Sequence, residues 1–393
     1  MKYSLLISLA LSLALLSCQS LHRQLDKVMD VSGEQLKSLS ELYHDSEQFP
    51  RSWDPATGKY KDFSYRDWTG GFFPGSLWIY YEMTGKEEYR TMAEHYTAKL
   101  APTPFYTHTH DLGFMVMCSY GRQFDNIGDD TSRAAIIQAA TSLIGRFDPQ
   151  IGLIRSWSFG KWNYPVIIDN MMNLELLFRA SELTGDDRFR NIAISHADGT
   201  IKNHFREDAS TWHVVSYNAD GSIESKGTHQ GYSDDSRWAR GQAWAIYGYT
   251  MCYRFTKEAR YLEQACKVAS LIMTLPDMPE DHIPYWDYDA PGKPDAVRDA
   301  SAAAITASAL LELKDYVDPE LSASYLEYAE SIMSSLSSKQ YLAGPGENGY
   351  FILKHSTGAA PLNSEVDVAI NYADYYFLEA IERYYKDKGF TAK

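Results

Sequence analysis

The sequence predicts an all-α fold, a closed (α/α)6 toroid of six helical hairpins with a few short strands in its loops. Three observations predict it. A short phrase recurs as TGKEEY (84–89), TGDDRF (184–189) and TKEARY (256–261), with VDPELSASYLEYA (317–329) as a looser fourth copy. Apolar residues recur at helical spacing in about a dozen segments. These segments alternate in character: one set opens at the short TGD-type turns, the other after long loops rich in aromatic and polar residues. Stacking the hairpins in a ring gives the second set one direction, so its N-termini converge on one mouth.

Helices are expected over 28–44, 71–84, 86–100, 111–123, 130–145, 169–184, 186–203, 236–256, 258–274, 298–316, 318–338 and 365–386. The segment GSLWIYYEM runs into the first phrase and RTMAEHYTAKL follows it. Glycine ends one helix there and acidic residues start the next, which is a tight helix–turn–helix. The 184–189, 256–261 and 317–329 copies divide three further hairpins in the same way. The second set follows the loops DWTGGFFPG, THTHDLGF, VIIDNMM, THQGYSDDSRWARGQAW, VRDASAAA and NSEVDVAI. Short strands are expected at 151–157, 211–218 and 350–354. No regular strand–helix alternation supports a parallel sheet. The 393 residues would by length alone suggest roughly two domains, but a closed ring makes residues 18–393 a single domain behind a short N-terminal tether.

Composition is globular, 45% hydrophobic and 23% charged. The net charge is −15, and no basic block is interleaved with aromatics, so nucleic acid is excluded as a partner. Residues 1–17, MKYSLLISLALSLALLS, form a short apolar leader after one lysine, which reads as a signal peptide. Leu15-Leu16-Ser17-Cys18 resembles a bacterial lipobox. The resemblance implies cleavage before Cys18, its lipidation, and export as a membrane-anchored lipoprotein. QSLHRQL after Cys18 has no acidic cluster, which points to the periplasmic face. Cys118, Cys252 and Cys266 are an odd, widely spaced set and form no disulfide framework.

The unusual residues crowd the expected mouth. Asp111 opens a helix after His108-Thr109-His110, and Asp169 opens another between Val166-Ile167-Ile168 and Met171-Met172. Each is placed to cap its helix, which would lower its pKa. As a pair in a dry cleft they would repel, raising one pKa and creating an acid that works near neutrality. Arg240 and Trp244 lie one helical turn apart on one face. Arg240 suits either a salt bridge to Asp234 or Asp235 or a clamp on a carboxylate, and Trp244 suits stacking on a sugar ring. His213 reads either as a core histidine or as a sugar-hydroxyl contact, and Trp68 either as a lid over the core or as a contact. His108-Thr109-His110 invites a metal reading, but the strand such a pair needs is missing. No HExxH, EF-hand, phosphate loop or GxSxG elbow occurs. No metal or other cofactor is expected.

Together DWTGGFFPGSLW, HDLGF, IIDNMMNLELL, STWHVV, THQGYSDDSRWARGQAWAIYGY and EVDVAINYADYYFLEA resemble the unsaturated glucuronyl hydrolases, glycoside hydrolase family 88. The resemblance spans most of the mature chain and implies the same toroid. It implies Asp169 and Asp111 as the catalytic pair, with His213, Gln230, Arg240, Trp244, Trp68 and His110 as substrate contacts. The implied substrates are lyase-generated oligosaccharides ending in a 4-deoxy uronate with a C4=C5 double bond. Protonation at C4 and water addition at C5 would give a hemiketal that opens and releases the sugar. Asp169, with the more apolar neighbours, is the expected proton donor. Two rivals stand beside this reading: an unsaturated rhamnogalacturonyl hydrolase acting on pectin fragments, and a non-catalytic glycan-binding lipoprotein.

Overall fold

The computed structural model describes residues 2–392, with side chains from residue 20 onward. The leader's side chains and that of Cys18 therefore lie outside the described residues. In chain order the helices are α1 (Lys2–Tyr43), α2 (Phe72–Thr84), α3 (Glu87–Ala98), α4 (Leu112–Val116), α5 (Arg122–Ile127) and α6 (Asp130–Ile144), then α7 (Leu174–Thr184) and α8 (Asp187–His204). After them come α9 (Ala239–Thr256), α10 (Ala259–Met273), α11 (Ala300–Leu313), α12 (Pro319–Leu336) and α13 (Asn371–Lys388). A π-helical turn (Met117–Gly121) joins α4 to α5, so these act as one element. The short strands are β1 (Phe49–Asp54), β2 (Lys59–Phe63), β3 (Phe147–Asp148), β4 (Leu153–Ile154), β5 (Pro165–Ile167), β6 (Val214–Tyr217), β7 (Ile223–Gly227) and β8 (Ala369–Ile370).

Burial separates an inner from an outer ring. Thirteen of the 14 residues of α11 are buried, including a run of alanines that lets neighbouring helices approach on every side. Helix α10 instead buries Tyr261, Gln264, Ala265, Val268, Ala269 and Ile272, a single stripe at helical spacing. The inner elements are α2, α4–α5, α7, α9, α11 and α13, and each has an outer partner. Helix α13 closes the ring against α2 and α11. Its outer partner is α1, which is held by the Tyr385 hydroxyl donating to Asp26 and by His22 stacked on Phe390. The recurring phrase marks the far end: Gly85 and Gly185 end α2 and α7 with φ of 66° and 72°, and Lys257 takes the same left-handed position after α9 at 57°. Buried ion pairs of Arg122 with Glu379 and Glu382 tie the inner helices together at that end.

Three local expectations change. The first helix does not begin at 28, because Leu21 and Leu25 are already in the core, which leaves almost no tether after Cys18. Helix α13 begins at Asn371 rather than near 365, because Glu365 and Asp367 adopt positive φ and Ala369–Ile370 pairs with β1. Residues 350–354 form no strand, only a 3-10 turn ending at Tyr350 and one bridge between Leu342 and Leu353. The expected 211–218 strand is β6 at the centre of the antiparallel sheet β5-β6-β7.

Candidate active site

That small sheet builds half of the site. The β5–β6 register pairs Ile167 with Val214, and the Ile168 N–H donates to the His213 carbonyl at 3.1 Å. Asp169, just beyond β5, therefore meets His213, just before β6. Asp169 lies in a 3-10 turn (Ile168–Asn173) that packs on α9 where Gly248 faces Met171; a Cβ on Gly248 would come within 2.5 Å of that side chain. Asp111 arrives from the neighbouring inner element. Gly113 lets α4 approach so closely that an added Cβ would sit 2.3 Å from the Asn173 Cα, and the Asn173 side chain accepts the Phe114 N–H at 2.9 Å. Neither aspartate caps a helix: Asp111 stands at an N-cap position with no side-chain bond to the helix N–H groups, and Ile167 occupies that position before Asp169.

Asp169 is 8% exposed, and its carboxyl is pushed up to about 7. Burial is the largest cause; the Arg240 charge opposes it and the Asp111 charge adds to it. One carboxyl oxygen has no hydrogen-bond partner and lies 3.7 Å from the Nε2 of His213. The His213 Nδ1 accepts from the backbone N–H groups of His229 and Gln230 at 3.1 and 3.3 Å. That assigns the ring proton to Nε2, the atom facing Asp169. Burial holds His213 well below its ordinary pKa, so it is neutral. The unpartnered indole N–H of Trp244 also acts on Asp169, lowering its pKa from beyond hydrogen-bond geometry. Asp111 accepts from the Thr109 hydroxyl at 2.6 Å and lies 3.2 Å from the His110 Nε2.

Several expected contacts take other parts. Trp244 is 0% exposed, with Phe114 and Tyr376 against its rings, and its indole N–H acts on Asp169 without a hydrogen bond. His110 is 2% exposed and burial holds its pKa down, so in this structure its contact is with the Asp111 carboxylate, at 3.2 Å. Arg240 is 1% exposed and pairs with Asp299 at 2.7 Å, not with Asp234 or Asp235. It also donates to the Thr357 and Gly358 carbonyls at 2.7 and 2.6 Å, which pins the 354–365 loop to the mouth. Gln230 is half-buried and donates to the Gly358 carbonyl at 3.2 Å. Trp68 is half-buried at the lip, packed on Phe72, Phe114 and Tyr372. Among the described residues no cluster of three or more His, Cys, Asp or Glu is placed to hold a metal.

The family model described as Glycosyl Hydrolase Family 88 matches residues 45–390. The chain belongs to glycosyl hydrolase family 88. The unsaturated glucuronyl hydrolase of Formosa agariphila is 43% identical over 390 residues, 96% of this chain and 97% of that protein. The unsaturated chondroitin disaccharide hydrolase of Streptococcus pyogenes serotype M1 is 33% identical over 92% of this chain and 91% of its own length. Among solved structures, an unsaturated glucuronyl hydrolase specific for heparin superposes with a TM-score of 0.92 at 45% identity, covering 94% of this chain and 99% of that one. The unsaturated glucuronyl hydrolase of Bacillus sp. GL1 gives 0.84 at 32% identity over 92% of this chain and 97% of that one. The family fold is thus the helical toroid described above.

In this family 88 chain several site residues escaped the sequence reading. Thr109 carries a local signal, a hydroxyl two residues before an aspartate, where it can bond both the carboxylate and the N–H of Asp111. Asp299, in the quoted loop VRDASAAA, caps α11 through the Ser301 N–H and holds Arg240. Asn173, and Thr228, whose hydroxyl lies 3.2 Å from the His213 Nδ1, carry no signal short of the folded geometry.

Proposed function

We propose that this protein removes a 4-deoxy, C4=C5 unsaturated glucuronic acid from the non-reducing end of lyase-generated, glycosaminoglycan-type oligosaccharides. The observation that carries the reading is Asp169: a carboxyl with a pKa near 7 in a dry site, facing a neutral histidine N–H. Such a group is protonated in a useful fraction of molecules near neutral pH and becomes a base once the proton has left. In the first step Asp169 gives its proton to C4, and positive charge develops on C5 and the ring oxygen. The Asp169 carboxylate then takes a proton from water as the hydroxyl adds at C5, which restores the acid. The hemiketal opens by breaking the bond from C5 to the ring oxygen, leaving a ketone at C5 and a hydroxyl at C1. Loss of the remaining sugar from C1 completes cleavage of the glycosidic bond. The His213 Nε2–H and the Trp244 N–H stabilise the carboxylate between the two transfers. Asp111 raises the acid's pKa and, being more open to solvent, positions the sugar. Nothing here displaces a group directly at C1, so the separation of the two carboxylates sets no stereochemical outcome.

Incubation with unsaturated disaccharides from chondroitin, hyaluronan, heparin and pectin lyases tests the reading. Loss of the ultraviolet absorbance of the conjugated double bond on glycosaminoglycan disaccharides supports it. Loss on pectin fragments alone, or binding without loss, overturns it. Export as a Cys18-anchored lipoprotein facing the periplasm is proposed from the leader and the lipobox. Expression of the full chain in a Gram-negative host should give a lipid-labelled membrane fraction that Cys18→Ser abolishes; unlabelled wild-type protein contradicts the anchor.

A further inference from the structure

Beside Asp111, a cleft of about 510 Å³ opens between the C-terminal end of α6 and the 155–164 loop. Arg146, Arg155, His108, Ser158 and Tyr164 line it. Arg146 donates to the carbonyls of Arg155, Thr107 and Ser156 at 2.8, 2.8 and 3.2 Å. Arg155 donates to the carbonyls of Trp157 and Asn163, both at 2.9 Å. Neither guanidinium has an ion-pair partner among the described residues, and each keeps N–H groups to spare. Arg51, Arg122, Arg237 and Arg254, by contrast, all take carboxylates. Burial is the largest cause holding the Arg146 pKa down; the Asp111 charge opposes it, and the charge of Arg155 is close enough to add to it. The one acid in the lining, Asp148, turns an oxygen back onto the N–H groups of Gln150 and Ile151 at 2.8 and 3.2 Å. In a chain of net charge −15 this is a cluster of two cations that no carboxylate pairs directly, with Asp111 nearby and Asp148 in the lining.

The cleft lies near Asp111. His108 lies three residues before Asp111, and Arg146 grips the Thr107 carbonyl and feels the Asp111 charge. We propose that this cleft is an anion subsite for the leaving side of the substrate, taking a sulfate ester or a uronate carboxylate carried by a sugar beyond the cleaved bond. Backbone carbonyls already fix the planar forks, so their free N–H groups are set for paired contacts with an oxyanion. The inference rests on the proposed activity.

Its test compares kcat/KM for three substrates: an unsulfated unsaturated disaccharide, its sulfated counterpart, and an unsulfated tetrasaccharide with a second uronate. The full chain is assayed as wild type, Arg155→Gln and Arg155→Lys, and thermal melts check that each variant folds. Arg155→Gln should lose about tenfold on one or both substrates with the extra anion, through KM, and change little on the unsulfated disaccharide. Arg155→Lys should recover part of the loss. Which substrate responds tells sulfate from carboxylate. Equal losses on all three, or no loss on any, overturns the subsite while leaving the activity intact. A wild type inert on all three removes the activity itself, and the subsite with it.

Discussion

Asp169 is a carboxyl held where water barely reaches it, and three neighbours set its behaviour: the charge of Arg240, the charge of Asp111 and the Nε2–H of His213. As the proton donor, it should give kcat/KM a descending alkaline limb with a midpoint near 7. Asp111→Asn removes a charge that raises this pKa, so the limb should move to lower pH in a pH–rate profile. Asp169→Asn should fold, bind substrate and lose about 10²–10⁴-fold in kcat, measured by loss of the double-bond absorbance. The same variant should be the more stable protein. The folded pKa lies above the ordinary 3.8, so the native state binds more protons between about pH 4 and 7. Stability from this group is therefore present below pH 4, falls as pH rises through that window and is lost above 7. The gain from Asn should appear at pH 8 as roughly 2–4 °C in Tm and vanish at pH 4.

Elements bring these residues together through close approaches that single side chains would block. Gly113→Ala would place a Cβ 2.3 Å from the Asn173 Cα and force α4 away from the 3-10 turn that carries Asp169. A cost of about 1–3 kcal/mol in a denaturant melt is expected, with a fall in kcat as the two aspartates separate. Much of this layer was legible. The TGD-type phrases marked the far-end turns, and apolar periodicity placed most inner and outer helices to within a few residues. The long loops correctly marked the N-termini that carry Asp111, Asp169 and Arg240. The misses have physical causes. Strands of two or three residues such as β5 and β8 leave almost no periodic pattern, yet the β5–β6 register is what sets Asp169 against His213. The partner of Arg240 lies 59 residues away, at the start of another hairpin, while the acids that looked likeliest on spacing were five and six residues off. Trp244 and His110 were read as contacts because aromatic rings and imidazoles suit sugars, whereas their burial depends on Phe114, Tyr376 and Asp111 closing around them.

At the scale of the whole molecule, the ring gives six inner helices a common direction and lets their starts touch in turn. Trp68 meets Phe114, the Phe114 N–H meets Asn173, Arg240 meets Asp299, and Asn371 reaches back to the Thr69 carbonyl. Closure depends on α1, whose Leu25, Val28, Leu36 and Leu39 are buried. A chain beginning at residue 20 should unfold cooperatively, whereas one beginning at 44 should lose its cooperative transition in calorimetry. What the ring achieves is one acid kept dry while a second faces the open mouth. The direct measurement is an infrared difference titration of wild type against Asp169→Asn, in which the other buried acids, Asp287 and Asp374 among them, cancel. The account predicts a protonated-carboxyl C=O band that fades with a midpoint near pH 7 and is missing from the variant. A band already gone by about pH 5, or one that persists in Asp169→Asn, would contradict it.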